Sequence, residues 1–146
     1  MDRGLALILT LAAGAFVTLQ PPANAALAHH VGDLGAALVS LSLATVIAAI
    51  LLLVFGDPGR LAGISAFHPE YALGGLGGAA VVIVSLVTVR TLGAGGVTAV
   101  LVSGQLIVSV LLDRYGLLGL QRVALDWQRG LGVALIIAGA VLVTSR

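Results

Sequence analysis

The chain has 146 residues, is 60% hydrophobic and only 9% charged, and carries a net charge of +1 with a mean hydropathy of +1.17. A soluble domain has about 25% charged residues, so this composition cannot coat a water-facing surface and specifies an integral membrane protein. The absence of cysteine excludes disulfides, thiolate metal sites and cysteine catalysis, and the seven basic residues, all arginine, form no cluster of the kind that binds nucleic acid.

A helix crosses a bilayer core with roughly 20 apolar residues, and the charged residues cut the chain into five pieces of about that size. The first predicted span runs from Leu5 to Leu27 and ends in "LQPPANAALAHH". Ala23-Asn24-Ala25 has the small-x-small form of a signal-peptidase site. Gln20 and Asn24, four residues apart, would instead share one face of a continuous helix. Pro21 and Pro22 lack backbone N–H groups, so the helix is expected to kink or unwind there and free carbonyls beside the two amides. Such a spot binds a ligand where it faces protein or water; equally, the amides can hydrogen-bond a neighbouring helix. His29 and His30 read as loop residues at headgroup level. Adjacent side chains on a helix diverge, and no acidic cluster accompanies them, so no metal site is assigned.

The second span, Leu34 to Phe55, carries no charge. "GDPGRLAGISAFHPE", Gly56 to Glu70, reads as a turn-rich loop. The third span, Tyr71 to Val89, opens with "YALGGLGGAA", where Gly74 pairs with Gly78 and Gly75 with Ala79 in small-xxx-small spacing, the pattern of close helix contact. A glycine-lined face beside a substrate path needs the same geometry. The fourth span, Gly93 to Leu112, places Gln105, Ser109 and Asp113 on one face, either as a wall of a polar path or as a hydrogen-bonded seam with Asp113 at the membrane edge beside Arg114. The connection from Asp113 to Arg129 holds most of the charge. The fifth span, Gly130 to Thr144, is the shortest; Gly132 and Gly139 share a face, and Trp127 suits the interface.

With five spans, Arg3, Arg60, Arg114, Arg122 and Arg129 share one side and Arg90 and Arg146 the other, which favours a cytoplasmic N-terminus. No Asp, Glu, Lys or Arg falls inside a predicted span. A charge at mid-membrane costs roughly 2.5–3.5 kcal/mol on insertion scales and is kept for a purpose, so the usual proton-binding carboxylate of an antiporter is missing. No nucleophile–base pair, phosphate loop or metal set is present; neither an enzyme nor a cofactor is expected.

Several stretches together resemble a known family. "GAFVTLQPPANAALA", "YALGGLGGAAVV", "LGAGGVTAVLVSGQLIVSVLLDRYGLLG" and "DWQRGLGVALIIAGAVLV" resemble, in order, the first, third, fourth and last helices of the YdcZ-like branch of the drug/metabolite transporter superfamily. The resemblance implies an all-α, five-helix half-transporter in the bacterial cytoplasmic (inner) membrane, paired with an oppositely oriented copy or sister chain. The related small multidrug resistance proteins use a first-helix glutamate that this chain lacks, so proton coupling and a cationic substrate are not carried over. If the resemblance holds, the first helix is retained and the Ala23-Asn24-Ala25 match is accidental.

The expectation is therefore a single membrane domain over residues 1–146 that moves a small solute by alternating access at an antiparallel dimer interface. Gln20, Asn24, Gln105, Ser109 and Asp113 would line the path, with Gly74, Gly75, Gly78, Gly132 and Gly139 at helix contacts. The rivals are an accessory membrane subunit without a path of its own, and a small channel.

Overall fold

The computed structural model describes residues 2–145, which form helices and no strand. The helices α1 (Arg3–Val31) and α2 (Asp33–Phe55) are followed by one helical stretch, Ala72–Tyr115, and by a last helix, Trp127–Thr144. The long stretch is two helices. Gly93 has φ 68° and ψ 168°, outside the helical region, and divides it into α3 (72–92) and α4 (94–115). An unbroken helix of 44 residues would reach about 66 Å at 1.5 Å per residue, over twice the bilayer core. The last helix is α5, and with the long stretch divided at Gly93 the structure has five long apolar helices.

The helix ends differ from expectation in identifiable ways. His29 and His30 are not loop residues but form the last turn of α1. The expected connection there shrinks to one residue, Gly32, whose φ of 75° and ψ of 165° are open to glycine and little else. Nor does α1 unwind at Pro21 and Pro22. The ring fixes φ near the helical value, so the damage is confined to the carbonyls of Val17 and Thr18, whose i+4 partners have no N–H. α5 starts three residues earlier than expected because the Asp126 carboxylate caps it, accepting from the Arg129 N–H at 2.8 Å. Its 18 residues then reach about 27 Å.

The chain divides into two compact units, Met1–Arg90 and Thr91–Arg146. In the first, α1 and α2 pack against one another, and the core is Ala28, Ala36, Ala37, Val82 and Leu86, flanked by Leu27, Leu41 and Ile83. Alanine at three of these five positions lets backbones approach closely, which is how helices associate when lipid removes the hydrophobic drive between them. The Asp33 carboxylate accepts from both terminal nitrogens of Arg90, at 2.6 and 3.3 Å, and so ties the start of α2 to the end of α3. Between them lies a connection with two 3₁₀ segments, Pro58–Ala66 and Pro69–Tyr71, where a turn-rich loop was expected.

In the second unit, α4 and α5 run antiparallel. A Cβ on Gly96 would come within 3.3 Å of the Thr144 methyl, so the N-terminal end of α4 abuts the C-terminal end of α5. At the other end Arg129 donates to Asp113 at 3.3 Å, and the Val123 N–H donates to the Asp113 carbonyl at 3.0 Å. Val97, Ser103 and Ala140 are buried between these ends. In both units most large apolar side chains point outward, as lipid-facing helices require.

Candidate functional site

The structure sorts the polar span residues into those already satisfied inside a unit and those presented outward. On α1 the buried stripe is Pro21, Asn24, Ala25 and Ala28, the i, i+3, i+4, i+7 face. Asn24 lies at its edge, and its Nδ2 donates to the Ser40 hydroxyl of α2 at 3.2 Å. Gln20 sits about 40° further round the helix at 3.6 residues per turn and is exposed. It is three residues from the midpoint of α1, so its amide lies deep in the bilayer.

On α4 the stripe of Gln105, Ser109 and Asp113 divides in the same manner. Gln105 is at the midpoint of the helix and exposed; Ser109, also exposed, returns its hydroxyl proton to the Leu106 carbonyl at 3.0 Å. Asp113 is half-buried and its carboxylate is taken by Arg129, not by the adjacent Arg114. Ser103, two residues before Gln105 and so on a different face of the helix, is buried and donates to the Ala99 carbonyl at 2.8 Å. Gln20 and Asn24 thus belong to the first unit, and Gln105, Ser109 and Asp113 to the second.

Gly74, Gly75 and Gly78 stand exposed on α3, and a Cβ added to any of them would meet nothing within 4 Å. Gly132 and Gly139 on α5 are partly exposed and equally free of near neighbours. Within its own unit, neither glycine face has a helix against it.

Three participants escape a reading of the sequence alone: Ser40 as the partner of Asn24, the Asp33–Arg90 pair, and Arg129 as the partner of Asp113. Ser40 has a recoverable signal in its position along the α1–α2 hairpin. The two ion pairs join residues 57 and 16 positions apart and have none.

Every charged side chain on the five spans lies at a helix end, while two amides stand exposed at mid-helix. These features define a multi-pass, all-α membrane protein with polar groups on outward faces of its spans. The family model described as "Putative inner membrane exporter, YdcZ" matches residues 5–142, and the chain belongs to that family. Membership places it in the inner membrane of bacteria and gives it a transporter role. No curated protein and no solved structure matches the chain.

Proposed function

We propose that the chain is one half of a transporter, that it pairs with an oppositely oriented second chain, and that an uncharged polar solute passes at their interface by alternating access. The observation that carries this reading is the exposure of Gln20 and Gln105 near the middle of their spans. Polar side chains in membrane helices face a bundle interior or a water-filled cavity, and here both face away from the rest of their own unit. The bare glycines of α3 give a partner a surface it can approach and slide along. An odd number of spans puts the termini on opposite sides, so an inverted pair builds the inverted-repeat arrangement common in transporters.

An amide offers both a donor and an acceptor, and no mid-span carboxylate is present to bind a cation or a proton. The path therefore suits a neutral, hydrogen-bonding solute. Gln20 and Gln105 are its polar contacts, Ser109 and Asp113 lie toward its mouth, and Asn24 holds α1 in place while Gln20 meets solute. The N-terminus is cytoplasmic on this reading.

The Asn24–Ser40 bond favours a second reading, an accessory subunit whose amides serve only as glue between helices. Proteoliposomes holding the purified protein alone separate the two. Counterflow of radiolabelled polyols, sugars and small amides is expected, with a tetraalkylammonium ion excluded. Gln20→Leu and Gln105→Leu should abolish flux in protein that remains folded. Absence of flux for every solute would support the accessory role, and linear, non-saturating flux would indicate a channel.

A further inference from the structure

The connection between α2 and α3 is organised in a manner that the transport reading does not use. Its first 3₁₀ segment, Pro58–Ala66, is capped by Asp57, whose carboxylate accepts from the Gly59 N–H at 3.0 Å. A 3₁₀-helix has three residues per turn, so residues three apart eclipse one another and the segment has three rows. Pro58, Leu61 and Ile64 fall on one row, continued by Phe67 at the C-cap. The second row is Asp57, Arg60, Gly63 and Ala66; the third is Gly59, Ala62, Ser65 and His68. Every bulky apolar residue from 57 to 68 is therefore on a single row, and Leu61, Ile64 and Phe67 are all more than half exposed. The Tyr71 ring meets the Phe67 ring edge-on, with centroids 6.0 Å apart, and extends the row to the foot of α3.

We propose that this segment lies flat on the bilayer surface, with Leu61, Ile64, Phe67 and Tyr71 dipping into the boundary between headgroups and acyl chains. The occupant of the apolar row is lipid. Both ends of the segment are fixed at the membrane, since Phe55 ends one span and α3 begins at position 72. The row thus continues the lipid-facing surface of the spans. A one-sided apolar element with polar residues opposite is the form of an interfacial helix, and an aromatic ring with a hydroxyl settles at that depth. The charged row is neutral overall, because Arg60 lies 3.7 Å from Asp57. Burial of the apolar row, not attraction to anionic headgroups, holds the segment down. The proposal stands whether or not the chain transports anything.

The chain contains no cysteine, so single cysteines can carry nitroxide labels without background. Leu61→Cys, Ile64→Cys and Phe67→Cys sample the apolar row; Arg60→Cys, Ala62→Cys, Ser65→Cys and Ala66→Cys sample the other two. All seven positions are exposed, so loss of one variant leaves the pattern readable. The full chain is reconstituted in phosphatidylcholine vesicles, with and without phosphatidylglycerol, and the collision of each label with oxygen and with a water-soluble nickel chelate is measured. The expected result is an oxygen-to-nickel ratio several-fold higher at 61, 64 and 67 than at the other four, unchanged by phosphatidylglycerol. A uniformly high nickel collision rate would mean a loop in water, and low rates for both reagents along the row would mean a protein cover. Either result overturns the proposal, as does a pattern that appears only with the anionic lipid.

Discussion

Asn24 and Ser40 lie eight residues before and eight residues after Gly32, and their side chains are joined by a hydrogen bond of 3.2 Å. The symmetry is a consequence of the one-residue turn. Two antiparallel helices hinged at a single position bring equidistant residues to the same height, and Ala28 and Ala36, four away on either side, share the core in the same manner. A double-mutant cycle with Asn24→Ala and Ser40→Ala, read by denaturant unfolding in detergent micelles, should give a coupling of about 0.6 kcal/mol and no more than about 1.7 kcal/mol, the range for hydrogen bonds between membrane helices. Zero coupling would remove the bond from the folded state. Gln20→Leu, at an exposed position, should leave stability unchanged.

The two glycine hinges carry the strictest backbone requirement in the chain. Gly32 at φ 75°, ψ 165° and Gly93 at φ 68°, ψ 168° adopt nearly the same conformation, each as the sole residue between two helices. A Cβ at either position would meet no atom within 4 Å, so the penalty of substitution is in the dihedral angles alone. Gly32→Ala and Gly93→Ala should each destabilise by about 1–3 kcal/mol, the cost of a sparsely populated backbone region. Gly77→Ala, helical and unobstructed, serves as the control and should be neutral or stabilising.

How much of this could be read beforehand depends on the range of the cause. The spans follow from local hydropathy, and α2 lies within one residue of its expected bounds. The end of α1 is not legible in the sequence, because two histidines at headgroup level suit a loop and a last helical turn equally well. Glycine at 32 was visible, but its power to reverse the chain alone depends on the helices that pack beside it. The stripes of Gln20 with Asn24 and of Gln105, Ser109 and Asp113 followed from helical spacing; the division of each into satisfied and exposed members did not, because Ser40 and Arg129 come from other helices. The row from Pro58 to Phe67 is present in the sequence, but its period of three matches neither the strand period of 2 nor the α-helical period of 3.6.

The bidentate Asp33–Arg90 pair fixes a topological expectation. Both residues sit at one membrane face, and Arg60 and Asp126 sit at the other if all five helices cross. Single cysteines at these four positions in otherwise cysteine-free protein should react with a membrane-impermeant thiol reagent in two groups, 33 with 90 and 60 with 126. Reaction of 33 and 90 from opposite sides would end the five-span arrangement. The pair itself is about 40% exposed on each side chain. Arg90→Ala should therefore cost only about 0.2–1 kcal/mol, and less at high salt.

The bare glycine face of α3 separates folding from association. Gly74→Leu and Gly78→Leu meet open space within their own unit, so helical content and monomer stability should be retained. If that face receives a second chain, the same substitutions should convert a dimer to a monomer when mass is measured in detergent or in nanodiscs. Dimers that survive both substitutions would move the interface elsewhere and leave the exposed amides in need of another explanation.

The mature chain should keep its first helix. Asn24 and Ala25, at the small-x-small match, are buried in the middle of a continuous helix, and Asn24 is bonded to Ser40. A protease needs the backbone extended and accessible, and tolerance of cleavage follows the burial and bonding of the backbone affected. The family match also begins at residue 5 and so includes this helix. Removal of the chain up to Ala25 would take away buried Pro21, Asn24 and Ala25 and leave Ser40 facing lipid. Mass spectrometry of protein purified from the membrane should find peptides that span the Ala25–Ala26 bond and include Gln20 and Asn24. A product beginning at Ala26 would leave four spans, reverse the relation between the termini and remove Gln20 from the proposed path.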